Sequence, residues 1–200
     1  MQFNNPTRQD QEDFLIRLYF GVKSDYLEMC IDRAYLDFNR TLHGIRNHQE
    51  IYKSAKMLLT ESIRMLSENK SDSSTAFDEW HKKLCITLCK HYADNGFVNY
   101  HIGQAQKWVN MALKYVFTMG EKRLPNYSYV YGFCHIPIDN IIINNLAAFH
   151  PPRLTCAWSR IDNYDEYMAF QNWVRTCFNG SAPLAVEFYL WQQPSSGTSA

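Results

Sequence analysis

Lys107 and Asp139 are the residues of this 200-residue chain whose types and settings best suit covalent chemistry. Lys107 falls in the first turns of the helical stretch HIGQAQKWVNMALKYVFTMG (101–120). There the positive end of the helix dipole and burial both lower an amine's pKa, as an attacking amine needs. A solvated lysine on a helix face is the competing reading and the commoner circumstance. Asp139 closes the turn Pro137-Ile138-Asp139 and opens a second helix within HIPIDNIIINNL (135–146). Orphan backbone N–H groups at a helix start keep such a carboxylate ionised, which suits stabilising a developing positive charge. A plain N-cap is the competing reading here. Lys107, Asn110 and Lys114, in steps of three and four, share one face of the first helix. That polar line is either the solvated side or a polar groove inside the protein.

A lysine near a helix start followed by a Pro-apolar-Asp turn resembles the helix-hairpin-helix DNA glycosylases of the GPD superfamily. Their motif is Gly-apolar-Gly-x-Lys, with a later Pro-Val-Asp at a helix start. The resemblance makes Gly103 the first glycine, puts Ala105 in place of the second, and makes Lys107 the nucleophile on the sugar C1′ of an extruded nucleotide. Asp139 of Pro137-Ile138-Asp139 then stabilises the transition state. The spacing from Lys to Asp is 139 − 107 = 32, so Gly120 to Phe133 reads as an insertion. The likeness is confined to His101–Leu146. Gly103, Asn110, Lys114, Tyr129, Tyr131, His135 and Trp158 make up the candidate substrate-binding set. The tyrosine-rich insertion and Trp158 to Tyr167 could line a base-stacking cleft, with Arg153, Arg160 and Lys122-Arg123 on phosphate. Core filling is the competing job for most of these rings.

Composition bounds the partners. Lys plus Arg and Asp plus Glu each number 20, a formal charge of zero, so no global field draws the chain to nucleic acid or anionic membrane. Any DNA or RNA contact must come from a local basic and aromatic groove. The six cysteines are scattered and the start lacks a basic segment followed by an apolar run, which predicts a reduced, cytoplasmic protein. No apolar stretch approaches membrane-spanning length, so no membrane partner is expected. No cofactor is expected, and the sequence does not encode the oligomeric state.

The elements that would carry these residues are read from periodicity. Asn5-Pro6 begins a helix with Phe14, Leu15, Leu18 and Tyr19, ending at Gly21. Ser24 caps a second, with Tyr26, Leu27, Cys30, Ile31, Ala34, Tyr35 and Phe38 at helical spacing as far as Gly44. A third carries Ile51, Ala55, Leu58, Leu59, Ile63 and Leu66. A fourth starts at Thr75 and carries Phe77, Trp80, Leu84, Leu88 and Tyr92 to Asn95-Gly96. After the central helix, NYSYVYGF (126–133) alternates as a short strand would. Asp139 to Phe149 is helical, Asp162 caps Tyr164 to Phe178, and Ser181-Ala182-Pro183 starts a final short helix or strand. The expectation is an all-α, single-domain multi-helix array over residues 1–193, with a short β-hairpin around 126–134 as an allowed addition and a flexible tail over 194–200.

Two further constellations carry little. His81, Cys85 and Cys89 form one stripe at i, i+4, i+8, but no fourth ligand is evident, so they read as buried small side chains with a boundary histidine and no metal. Arg40, His43, Arg46 and His48 bring to mind the Arg-His pair of HEPN ribonucleases. Seven residues separate Arg40 from His48, two separate it from His43, and Gly44 interrupts the helix. The functional expectation is a base-excision protein resembling the DNA glycosylases, with a Lys nucleophile and a helix-capping Asp. The alternatives are a non-catalytic helical interaction module and, far behind, a HEPN-like ribonuclease.

Overall fold

The central helix is apolar around most of its circumference and lies inside the protein, its polar line included. The computed structural model describes residues 5–23, 25–68 and 73–192. Among these, α1 (Arg8–Phe20) leans on α2 (Tyr26–Leu36), α3 (His48–Glu68) joins α2 to α4 (Ser74–Asp94), and α2 and α4 pack on α5 (Ile102–Met119). The chain then continues through α6 (Asn140–Leu146), α7 (Tyr164–Cys177) and α8 (Pro183–Trp191). Every residue of α5 except Phe117 and Thr118 is buried. The helix starts where the Gln104 side chain accepts the His101 N–H at 2.9 Å. It stops at Gly120, whose φ of 80° only glycine adopts without strain. Its principal neighbour is α2, locked on by the Trp108 indole, which donates to the Ile31 carbonyl at 3.0 Å and packs beside Tyr35 and Phe38.

Leu113 and Leu84 are buried, at 0% and 5% exposure. Leu→Ala at either position is expected to cost about 2 to 5 kcal/mol in urea or thermal unfolding, from lost transfer energy and the cavity left behind. Near-wild-type melting of both would mean the faces are inverted. Val116 is buried too, whereas Trp80 is only partly so, because its indole N–H reaches the Ser62 hydroxyl at 3.1 Å.

The array is all-helical, with no strand among the described residues. The hairpin expected around 126–134 is instead a 3-10 turn over Ser128–Phe133. Its buried side chains are Tyr127, Val130 and Cys134, a spacing of three and four, while the alternating Tyr129 and Tyr131 are only half-buried. Other boundaries move by a residue or two. Thr7 rather than Asn5 caps α1, Ser73 caps α4, Asn163 rather than Asp162 caps α7, and Pro183 opens a final helix, not a strand. The second helix ends at Leu36, well short of Gly44, so Arg40 belongs to a separate 3-10 turn, Asn39–Thr41. The expected cap Ser24 and the tail 194–200 lie outside the described residues; Asp25 caps α2. In α1 the face chosen from sequence is the outward one. Phe14, Leu15, Leu18 and Tyr19 are exposed, and Ile16 and Phe20 lean on the core.

Candidate active site around Lys107 and Asp139

The chain from Cys134 to Ile138 runs buried without a strand to pair with, so its backbone polar groups need other partners. Two glutamines supply them. Gln171 of α7 accepts the Ile136 N–H at 3.1 Å and donates to the Ile136 carbonyl at 2.9 Å. Gln106 of α5 does the same at Ile138, at 3.1 and 2.8 Å. Each side-chain amide thus imitates one rung of a sheet ladder. The clamps fix the Pro137-Ile138-Asp139 turn against α5. Asp139 then caps α6, accepting the Ile142 N–H at 2.8 Å through one oxygen and the Lys107 ammonium at 2.5 Å through the other.

The polar line of α5 therefore faces inward, and Lys107 is not a solvated surface lysine. It is 4% exposed, Asn110 1% and Lys114 8%. Lys114 forms a second buried ion pair, with Glu187 of α8 at 2.5 Å. The ammonium also lies 5.0 Å from the Trp191 ring centroid and 5.3 Å from that of Phe188. Burial pushes the Glu187 carboxyl above its usual value, with Lys114 and Lys107 opposing the rise and Asp139 adding to it. Glu187 thus feels both charged residues of the first pair, and the two pairs form one four-charge cluster. One Glu187 oxygen, Oε2, is buried without a hydrogen bond among the described residues.

Asn110 is the hub of an adjoining network. Its carbonyl oxygen accepts from His81 Nε2 at 3.0 Å, and its amide donates to Gln106 at 3.0 Å and to the Tyr167 hydroxyl at 2.9 Å. That role fixes the hydrogens beyond it. Tyr167 donates to His135 Nδ1 at 2.8 Å, and His135 Nε2–H donates to Asp78 at 2.8 Å. Arg175 grips the same carboxylate at 2.6 and 2.8 Å. Burial alone would raise Asp78, but Arg175 and His135 outweigh it and hold the carboxyl well below the usual range. His81 is fully buried rather than a boundary residue, with Cys85 beside it. Burial depresses its pKa, as does the neighbouring His135; His135 is itself lowered by burial, against the pull of Asp78.

Both histidines, lowered from 6.5, are neutral in the fold, so the unfolded chain binds more protons as the pH falls below that value. Their contribution is present above the unfolded value and lost on acidification. Each should forfeit about 1.4 kcal/mol per pH unit until its folded value is passed. A falling Tm from pH 7 towards pH 5, by about 2 to 4 °C per kcal/mol, is the expected result. A flat Tm across that window would mean the imidazoles already carry charge in the fold.

The structure brings some sequence-predicted residues together and separates others. Lys107, Asp139 and Lys114 share the cluster, with Asn110 and His135 directly behind it and inaccessible from outside. Gly103 serves packing: a Cβ there would meet the Trp158 carbonyl oxygen at 1.8 Å, and its N–H donates to Ile161 at 2.9 Å. Trp158, 7% exposed, is part of that same contact rather than an open stacking platform. Tyr129 hydrogen-bonds the Leu66 carbonyl and Tyr131 packs edge-on against Phe117. Arg123 is bound by Asp13 at 2.9 Å, Lys122 by Gln9 at 2.6 Å. Arg160 instead joins Arg40, His43 and His101 around a polar groove of 770 Å³ beside the start of α5.

Sequence reasoning missed Glu187, Trp191 and the two clamping glutamines. A Glu inside the otherwise apolar PLAVEFYLW (183–191) was the one signal available. No group of three or more His, Cys, Asp or Glu among the described residues is arranged to hold a metal ion. No helix among them is long and apolar enough to cross a membrane. Compared with protein-family models, with curated proteins and with solved structures, the chain matches none.

Proposed function

We propose that this protein excises a base from nucleic acid, with Lys107 as nucleophile and Asp139 as its proton acceptor and electrostatic partner. The observation that carries the reading is the buried Lys107–Asp139 contact of 2.5 Å, held by a turn that Gln106 clamps in place. A buried ion pair contributes little net stability over an apolar pair of similar volume, which is compatible with a chemical role for this one. In the reaction Asp139 takes a proton from Lys107. The freed amine then bonds to C1′ of the sugar as the C1′–base bond breaks with its electrons on the departing base, which takes the proton held by Asp139. A proton passes from Nζ to the ring oxygen as the sugar opens to a protonated imine between C1′ and Nζ, and water hydrolyses that imine to the open sugar and the Lys107 ammonium.

The Lys114–Glu187 pair gives the base a place. Trp191, 57% exposed, offers a face for stacking beside the Lys114 ammonium, with Phe188 next to it. The groove bearing Arg40 and Arg160 sets two guanidinium groups against the one carboxylate of Asp162, a local positive excess for phosphate on a chain without net charge.

The test is borohydride trapping on a panel of single- and double-stranded DNA and RNA with oxidised, alkylated or missing bases. A covalent adduct on at least one damaged-base substrate is expected. Absence of both binding and trapping at low salt would remove the reading. One observation favours the second reading, a non-catalytic interaction module: α3 and α4 leave between them an apolar groove of 660 Å³. That module predicts no adduct with any substrate.

A further inference from the structure

The exposed large apolar side chains of the described residues include two concentrations. Phe14, Leu15, Leu18 and Val22, all 60% exposed or more, form one ridge along α1 and just beyond its end. A helix with no buried residue is unusual in a folded domain; α1 is held instead by Ile16 and Phe20 and by the Arg123–Asp13 pair on its other side. The second concentration is the groove between α3 and α4. Met57, Leu58 and Met65 stand exposed on its α3 wall, Trp80 and Leu84 line the α4 wall, and Val130 closes one end.

A convex ridge and a concave seat, both apolar and both unpartnered among the described residues, thus sit on one chain, and α2 lies between α1 and α3 in the packing order. We propose that α1 of a second copy occupies the α3/α4 groove, reciprocally, in a two-fold dimer. Dimensions agree. The α3 wall from Met57 to Leu66 runs about 14 Å and α1 about 20 Å at the α-helical rise, so one helix spans the seat. A helix laid across two others in this way buries its apolar stripe as it would in a helix-in-groove complex.

The groove lining holds Glu61 and Lys83, one of each sign, and on the ridge helix Arg8 and Glu12 pair with each other at 3.2 Å, so two nearly neutral faces can meet without a charge penalty. Asp10, Glu12 and Asp13 outnumber Arg8 and Arg17 on α1, which disfavours an anionic lipid surface or nucleic acid as the ridge's partner. The two-fold arrangement closes on itself, so it yields dimers rather than filaments.

The experiment is the mass of the full chain by light scattering or sedimentation over a range of concentrations, with helix content followed by circular dichroism. The wild type is expected at twice the 23.5 kDa of one chain. Leu15→Asp/Leu18→Asp and, separately, Met57→Asp/Met65→Asp should each keep full helix content and fall to the single-chain mass. Mixed in equal amounts, the two variants should recover the dimer mass in part, since one intact ridge then meets one intact groove. A wild type that stays at the single-chain mass at every concentration overturns the proposal. So does a dimer indifferent to both variants, or a single-chain wild type that co-sediments with phosphatidylserine vesicles through its ridge.

Discussion

Lys107→Gln is expected to bring borohydride trapping to background and to slow any base release by on the order of 10³-fold or more, because an amide cannot form an imine. The fold should survive. Glutamine at 107 still donates to Asp139, so the buried carboxylate keeps a partner and the loss should stay at about 1 to 3 kcal/mol. Binding to a modified duplex should be nearly unchanged, which places the defect in the chemical step. Asp139→Asn is the companion. It removes the proton acceptor and leaves the Lys107 charge unpaired at 4% exposure, so it should cost more than the loss of an N-cap charge, up to about 3 to 5 kcal/mol. Gel-shift affinity, trapping yield and urea unfolding together separate the two proposed functions. A merely structural ion pair predicts lost stability in both variants with no adduct in the wild type to lose.

The helices were legible because burial of one face leaves a period that a sequence displays: Ile51, Ala55, Leu59, Ile63 and Leu66 on α3 are all buried as their spacing requires, whereas Leu58, assigned to the same face, sits at its edge and is exposed. What stayed hidden is the identity of partners far along the chain. Lys107, Asn110 and Lys114 form the same polar stripe whether they face water or face Asp139, His81 and Glu187, and those partners arrive from three other elements. The Cys134–Ile138 segment has the same difficulty, for its ladder consists of the Gln106 and Gln171 side chains, and no sequence period announces a glutamine standing in for a strand. In Ser128–Phe133 two periods competed. The alternation of tyrosines was the more visible, yet the buried spacing of Tyr127, Val130 and Cys134 decided the conformation. In α1 both faces carry apolar residues, so periodicity identified the helix and misassigned its inner side.

Lys114→Ala should be the most destabilising single change at the site, since it strands the Glu187 carboxylate at 0% exposure with neither oxygen paired. Breaking a buried pair from one side costs about 3 to 5 kcal/mol, on the order of 10 °C in Tm for a chain of this size. The pH dependence has a definite sign. Burial already raises Glu187 above its ordinary 4.5, and loss of Lys114 removes an opposing charge and raises it further. A raised carboxyl favours the fold below its unfolded value and loses that contribution as the pH climbs towards its folded one. The variant's deficit should therefore deepen from acid towards neutrality, opposite to the histidine effect. Lys114→Met combined with Glu187→Leu removes both charges together and should recover most of the stability, because an apolar pair needs no desolvated ion. If the Lys114 cation beside Trp191 helps hold the base, that double variant melts like the wild type yet binds modified duplexes more weakly, with Lys107 still in place. Equal binding by the double variant and the wild type would confine the Lys114–Glu187 pair to packing and move base recognition elsewhere.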